Sequence, residues 1–394
     1  MMGGLYPATA ITLVISFILT FPVRQLVHCF GVLDRPNTRS SHQVPTPRAG
    51  GLAIVLGIGM AIPWFVPLDI QGICLGLLIT VVAAVSLLDD LCSLSFKTRL
   101  AVQMVAALLV VTGLGLPVRT LDLPGLALEL PNWLGMSLAI LFVVAYCNFF
   151  NFMDGINGLA AGQAVITAAC LSILLSRVGC GAAALVAAVI CGAAAGFIPH
   201  NFPVARIFMG DVGSVTLGFA LALLSLVLHS RGGVPWTAVI LVNAIFLFDA
   251  TFTIGKRLWR RENITSPHRE HNYQLLVRCG WSHVSTTLTV LMLSAGSCFA
   301  AFCYAGFAGP TQWSALVGTT AGLTVYAVAA HTGRQLTSRS RPSMTPHGVQ
   351  VVAIDRSHIE ASPSRSSGWS PRRVLPRYSN PKPMYPGTTT RGSS

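Results

Sequence analysis

Residues 133–176 read WLGMSLAILFVVAYCNFF, then NFMDGING, then LAAGQAVITAACLSILLS. Two apolar runs without a single charge flank eight polar, glycine-bearing residues. Each run approaches the roughly 20 residues that a helix needs to cross a hydrocarbon layer. The eight between them are too few to form a domain of their own. The stretch therefore reads as a helical hairpin that enters and leaves a membrane, with amides and one carboxylate at its turn.

The same alternation continues in both directions. Candidate spans lie at 8–28, 51–67, 70–88, 100–117, 133–150, 159–176, 181–199, 213–229, 236–254, 284–306 and 313–331, which gives about 10–11 transmembrane helices. The link at Pro67–Asp69 is so short that 51–67 and 70–88 also form a hairpin. The first run has no basic stretch before it and no small-residue cleavage site, so it reads as a span and not a cleaved signal. Small-residue runs, Gly192–Gly196 among them, suit close helix packing. The expected fold is an all-α, polytopic membrane bundle over residues 1–331. Residues 332–394 form a Ser-, Pro- and Arg-rich basic tail without helical period, expected to be disordered.

Composition agrees. The 394 residues are 53% hydrophobic and only 10% charged, and the mean hydropathy is +0.66. A soluble globular chain carries about 25% charged residues, so this chain cannot keep a soluble surface solvated. Its ten cysteines are scattered, mostly within apolar runs and without a C-x-x-C pair. Inert buried thiols fit that pattern better than disulfides or a zinc site. The net charge is +13, and no nucleic-acid partner is expected.

Basic residues orient the bundle. Arg35, Arg39, Arg48, Lys97, Arg99, Arg206, Lys256, Arg257, Arg260, Arg261, Arg269 and Arg278 fall in one set of loops. Only Arg119, Arg177 and Arg231 fall in the other. The positive-inside rule makes the first set cytoplasmic. Asp34, Asp89, Asp90, Asp154, Asp211, Glu262 and Glu270 gather in those same loops, and Asp249 lies inside a span near its cytoplasmic end.

Five of these loops carry chemistry. The first holds Asp34, Arg35, Asn37, Arg39 and His42, then Pro45-Thr46-Pro47-Arg48-Ala49-Gly50-Gly51. Its arginines suit phosphate, because a guanidinium pairs with two phosphate oxygens. The second places Asp89 and Asp90 side by side at the end of an apolar run, ahead of Lys97 and Arg99. Adjacent carboxylates there repel each other unless a cation or proton offsets them. The third runs Asn148 to Leu159. Asn148 and Asn151 share a helix face, and Asp154, Gly155, Asn157 and Gly158 crowd the turn. The fourth is Phe208-Met209-Gly210-Asp211-Val212-Gly213-Ser214, with an aromatic face beside an acid flanked by glycines. The fifth is His268-Arg269-Glu270-His271-Asn272-Tyr273-Gln274, a basic run suited to a diphosphate.

Taken in order, Pro-Thr-Pro-Arg-x-Gly-Gly, Asp89-Asp90, Asn-x-x-Asn-x-x-Asp-Gly, Phe-Met-Gly-Asp-x-Gly-Ser and His-Arg-x-His resemble the polyprenyl-phosphate N-acetylhexosamine-1-phosphate transferases. That superfamily includes the phospho-N-acetylmuramoyl-pentapeptide transferases. The resemblance covers roughly residues 8–331. It implies transfer of N-acetylhexosamine-1-phosphate from a UDP-sugar to undecaprenyl or another polyprenyl phosphate, with release of UMP. It also implies Mg2+, with Mn2+ as a substitute, and a site on the cytoplasmic face of the bacterial inner membrane. The implied partners are the UDP-N-acetyl sugar, the polyprenyl phosphate and membrane lipids, and a homodimer is allowed.

Carried over position by position, the resemblance gives Asp89, Asp90, Asp154, Asp211, His268 and His271 catalytic roles. Asp211 and Asp154 would hold the metal. Arg48, Lys97, Asn148, Asn151, Gly155, Asn157, Phe208 and Arg269 would bind substrate, with Gly155 and Phe208 at the uracil. Position 157 departs from many relatives, which carry a second Asp there. The His-Arg-Glu-His run with Gly280-Trp281-Ser282-His283 resembles the branch that starts bacterial surface-polysaccharide synthesis of the O-antigen type. Peptidoglycan-type transfer of phospho-N-acetylmuramoyl-pentapeptide is the alternative within the superfamily. A secondary transporter is the alternative outside it.

Overall fold

A computed structural model describes residues 2–34, 45–67, 69–263, 266 and 268–339, with side chains described from Gly3 to Gly333 within those ranges. Arg35, Asn37, Arg39 and His42 of the first loop, and residues 340–394 of the tail, lie outside them. The helices are α1 (Met2–Cys29), α2 (Gly51–Phe65), α3 (Ile70–Cys92), α4 (Phe96–Leu114), α5 (Asn132–Phe152), α6 (Leu159–Arg177), α7 (Gly181–Asn201), α8 (Asp211–Ser230), α9 (Trp236–Val242), α10 (Ala244–Trp259), α11 (Asn272–Arg278), α12 (His283–Gly306) and α13 (Pro310–Arg339). Two short antiparallel hairpins join them. One pairs β1 (Leu33–Asp34) with β2 (Thr46–Pro47), the other β3 (Thr120–Leu123) with β4 (Leu126–Glu129).

Nine described helices are long and apolar enough to cross a membrane, and the pair α9–α10 makes a tenth crossing if it counts as one span. The protein is a multi-pass helical membrane protein. Two expected spans need correction. The run 236–254 is not one straight helix, since α9 and α10 meet at 84°. Asn243 stands at the break, and its side-chain Nδ2 donates to the Val239 carbonyl and to Ser225 Oγ. An amide side chain that takes over the i−4 carbonyl competes with the helix ladder. The run 51–67 forms only the 15 residues of α2, about 22 Å at 1.5 Å per residue, short of a full crossing. At the far end α13 continues beyond residue 331 to Arg339.

The bundle is built around α8, which is buried along almost its whole length. It packs against α5, α3, α2 and α6, while α1 and α7 lie together. A Cβ added at Gly192 or Gly196 would strike the backbone carbonyls of Thr9 and Leu13. The two glycines thus let α1 cross α7 at backbone distance, the small-xxx-small geometry of membrane helices.

Tryptophans mark the two water boundaries. Trp64, Trp133, Trp236 and Trp313 sit at helix ends on one side of the up-and-down path, and Trp259 and Trp281 at helix ends on the other. Trp259 is 91% exposed and Trp64 84%. Indole rings collect at membrane interfaces, where one edge is wet and the face is apolar. The second boundary also holds the turn between α5 and α6 and the start of α8.

Candidate active site

Four helix termini meet at that boundary: the ends of α3 and α5 and the starts of α4 and α8. The arm 45–51 lies against them. Phe208 N–H donates to the Pro47 carbonyl at 2.8 Å, Gly50 N–H to Phe208 at 2.8 Å, and Gly51 N–H to Met209 at 2.7 Å. The β1–β2 pairing closes the base of the same arm. This ladder brings Arg48 over the start of α8.

Asp90 is the link between α3 and α8. Its Oδ1 accepts from Asp211 N–H at 2.9 Å and its Oδ2 from Val212 N–H at 3.0 Å. It caps the first turn of α8 from another helix, where free N–H groups and the helix dipole favour an anion. Gly210 precedes that turn with φ of +73°, and a Cβ there would press on the Asp90 carboxylate. Arg48 Nε stands 2.7 Å from Asp90 Oδ1, and Arg48 Nη2 stands 3.0 Å from Asp211 Oδ1.

Arg99 reaches across from α4. Its Nη1 lies 2.7 Å from Asp89 Oδ2 and 2.8 Å from Asp211 Oδ2. Asn151 of α5 donates to Asp211 Oδ1 at 3.1 Å and to Ser214 Oγ at 2.9 Å. Leu94 N–H donates to Asp89 Oδ1 at 2.6 Å. One continuous network thus joins α3, α4, α5, α8 and the 45–51 arm.

Asp154 stands apart from it. Among the described residues its carboxylate makes no hydrogen bond or ion pair. Burial pushes its carboxyl well above the usual carboxylate range. Asp211 and Asp90 add to the push, and Arg48 opposes it. Ionisation in that position calls for a cation beside it. No three His, Cys, Asp or Glu side chains form a closed metal cage among the described residues. Magnesium does not need one, because it commonly takes one or two carboxylates and completes its shell with water and substrate phosphate. The pair Asp154 and Asp211, with Asn151 beside them, fits that demand.

The fifth loop packs against the same turn. Tyr273 Oη donates to the Phe152 carbonyl at 2.9 Å and lies where a Cβ on Gly155 would sit. The His271 ring lies 6.0 Å from that of Phe152 and 5.1 Å from that of His268. His271 Nδ1 is 3.2 Å from Asp249 Oδ1. Lys256, Arg257 and Arg260 surround Glu270, with Arg257 also 3.0 Å from Glu262. Burial, then the neighbouring His271 and Arg257, hold His268 down at about 4, so its ring is neutral near pH 7.

Comparison with known proteins gives the family. The profile described as glycosyl transferase family 4 matches residues 73–229. A probable undecaprenyl-phosphate N-acetylglucosaminyl 1-phosphate transferase of Bacillus subtilis is 30% identical over 292 residues, covering 73% of this chain and 81% of the relative. The decaprenyl-phosphate N-acetylglucosaminephosphotransferase of Mycobacterium tuberculosis is 31% identical over 315 residues, covering 71% and 77%. An undecaprenyl-phosphate alpha-N-acetylglucosaminyl 1-phosphate transferase of Salmonella typhi is 28% identical over 297 residues, covering 71% and 78%. The chain belongs to glycosyl transferase family 4.

Within this family frame, the structure gathers Arg48, Asp89, Asp90, Asn151 and Asp211 into one network, with Asp154 electrostatically close. Other expected site residues sit elsewhere. Asn148 donates to Gln103 Oε1 at 2.7 Å and so braces α5 on α4 instead of facing the carboxylates. Lys97 is exposed and makes no ion pair among the described residues. Asn157 donates to the Pro203 carbonyl at 3.0 Å, away from the acids. Phe208 is half-buried, its backbone locked to the first loop. His268 and His271 pack beside the same turn, and Arg269 lies between them in the chain. The sequence reading left Arg99 and Ser214 out of the site. Arg99 could be found only by its position after the acid pair, and Ser214 only by its turn relation to Asp211.

Proposed function

We propose that this chain transfers N-acetylhexosamine-1-phosphate from a UDP-sugar to undecaprenyl or another polyprenyl phosphate. UMP leaves, and a polyprenyl-diphosphate sugar remains. The relatives are named for N-acetylglucosamine, which makes UDP-N-acetylglucosamine the first donor to test. The observation that carries the reading is the convergence of three carboxylates and two arginines from α3, α4, α8 and the 45–51 arm at the ends of spans, with Asp154 electrostatically close. A lipid phosphate and a water-soluble diphosphate can meet there and almost nowhere else in a bilayer protein.

In the proposed reaction, an oxygen of the lipid phosphate bonds to the sugar-linked phosphorus. The bond from that phosphorus to the bridging oxygen breaks, and the electron pair leaves with UMP. Both substrates are anionic, so charge neutralisation dominates. Arg48 and Arg99 offer guanidiniums to phosphate oxygens. Asp154 and Asp211 would hold Mg2+ or Mn2+, which would supply Lewis-acid charge compensation for the diphosphate. Asp89 and Asp90 hold the two arginines and the start of α8. Phe208 stacks on uracil beside Gly155, and His268, Arg269 and His271 line the diphosphate. The active face is assigned to the cytoplasmic side of the bacterial inner membrane, where the basic loops lie. The product would then initiate an envelope polysaccharide of the O-antigen type.

Folded protein in detergent or nanodiscs is incubated with UDP-N-acetylglucosamine, polyprenyl phosphate and Mg2+. UMP release together with a lipid product of the expected mass supports the reading. Absence of both across a panel of UDP-N-acetylhexosamines sinks it.

A further inference from the structure

Asp249 lies within α10 and is completely buried. Its Oδ1 is approached by His271 Nδ1 at 3.2 Å, Asn272 N–H at 2.9 Å and Thr253 Oγ1 at 3.4 Å. Its Oδ2 accepts from Tyr326 Oη at 2.7 Å and from Tyr273 N–H at 3.3 Å. A carboxylate this deep in a span is costly unless every lone pair is used. Here it draws donors from α10, from the loop and first turn of α11, and from α13. Capping α11 needs only the two backbone N–H groups. The histidine and the tyrosine are additional, and they come from different parts of the chain.

We infer that Asp249 is a positioning residue for His271, and that Tyr326 of α13 completes the device. An ionised carboxylate can only accept hydrogen bonds, so the proton of a neutral His271 ring sits on Nδ1. That leaves Nε2 as the ring's acceptor. The rings of Phe152, His268 and Tyr273 surround His271 at 5.1–6.0 Å and limit its tilt. Asp249 thus selects both the tautomer and the direction of the ring, as partners of functional histidines commonly do. Tyr326 fixes the second carboxylate oxygen and couples α13 to the site without approaching substrate itself.

The inference rests on the proposed transferase reading for what His271 touches, but its first test does not use activity. Nitrogen-15 NMR of histidine-labelled protein in nanodiscs, with the His271 signal assigned by its loss in His271→Asn, reports the tautomer. The Nδ1-protonated form is expected, and an Nε2-protonated form overturns the inference. The second test is a double-mutant cycle on turnover. Asp249→Asn should lower kcat roughly tenfold to a hundredfold in the otherwise native enzyme and change it less than about twofold on a His271→Ala background. An equal loss on both backgrounds shows a general structural role and overturns the inference. Tyr326→Phe, which keeps the ring and removes one donor, runs the same cycle if Asp249→Asn does not fold. It should give a smaller loss that also vanishes on the His271→Ala background. A wild type that is folded but makes no product sinks the transferase reading, while the tautomer still decides the role of Asp249.

Discussion

Arg99 Nη1 touches carboxylates of two helices at once, 2.7 Å from Asp89 on α3 and 2.8 Å from Asp211 on α8. With Arg48 and Asn151 on the other oxygen, both carboxylate oxygens of Asp211 are engaged. A metal ion that uses Asp211 must share it with, or displace, a guanidinium.

Arg99→Gln should therefore bind Mn2+ more tightly than wild type in the absence of substrate while turning over more slowly. The Arg99 side chain is one-third exposed, so solvent screens the competition, and a gain of about 1 kcal/mol, or roughly fivefold in affinity, is expected. Titration of Mn2+ by electron paramagnetic resonance measures it. Unchanged or weaker affinity would show that Arg99 does not compete for the metal position.

The acid pair and the glycine-bearing turns were legible in the sequence because each is anomalous where it stands. Asp89-Asp90 ends an apolar run, and Asp154 sits between two spans. Their convergence was not legible, since it depends on helix packing. Arg99 illustrates the limit, because its role comes from crossing to α8, 112 residues away. The break at Asn243 was hidden for another reason. Hydropathy sees an unbroken apolar run and is blind to a side-chain amide capturing a carbonyl. Asn148 looked like a ligand because it shares a face with Asn151, yet one helical turn deeper its neighbour is Gln103.

Asn157 supplies a test at the turn between α5 and α6. Its Nδ2 donates to the Pro203 carbonyl at 3.0 Å, and its own carbonyl accepts from Thr287 Oγ1 at 2.8 Å. In Asn157→Asp a carboxylate oxygen would face a carbonyl oxygen with no donor between them. The expected result is a loss of about 1–2 kcal/mol in stability and no increase in metal affinity. Thermal unfolding and Mn2+ titration read the two parts separately. A variant as stable as wild type with tighter metal binding would place position 157 in the metal site.

His268 supplies a pH test. Its folded value is about 4, held down by burial and by His271 and Arg257, whereas an unfolded histidine titrates near 6.5. Between these values the unfolded chain binds more protons, so stability rises with pH. The contribution of neutral His268 is intact above about pH 6.5 and lost as pH falls toward 4. His268→Gln should therefore flatten the fall in thermal midpoint between pH 7 and pH 5. Parallel curves for the two proteins would show that the fold does not hold His268 below its unfolded value.

The closest backbone approach in the site gives the sharpest packing test. A Cβ on Gly51 would overlap the Cα and N of Gly213, and a Cβ on Gly213 would meet Gly51 Cα and the Met209 side chain. Neither backbone can retreat easily. Gly51 N–H is held by Met209 at 2.7 Å, and Gly213 lies in the first turn of α8 capped by Asp90. Gly51→Ala must push the 45–51 arm off α8, and Arg48 moves with it, away from Asp90 and Asp211. Gly59, on the same helix, has nothing within 4 Å of an added Cβ, and Gly59→Ala provides the control. Overpacking costs about 1–3 kcal/mol, so Gly51→Ala should lower the thermal midpoint and reduce turnover by more than about tenfold, while Gly59→Ala leaves both near wild type. Equal behaviour of the two variants would show that the arm does not need its contact with α8 to place Arg48.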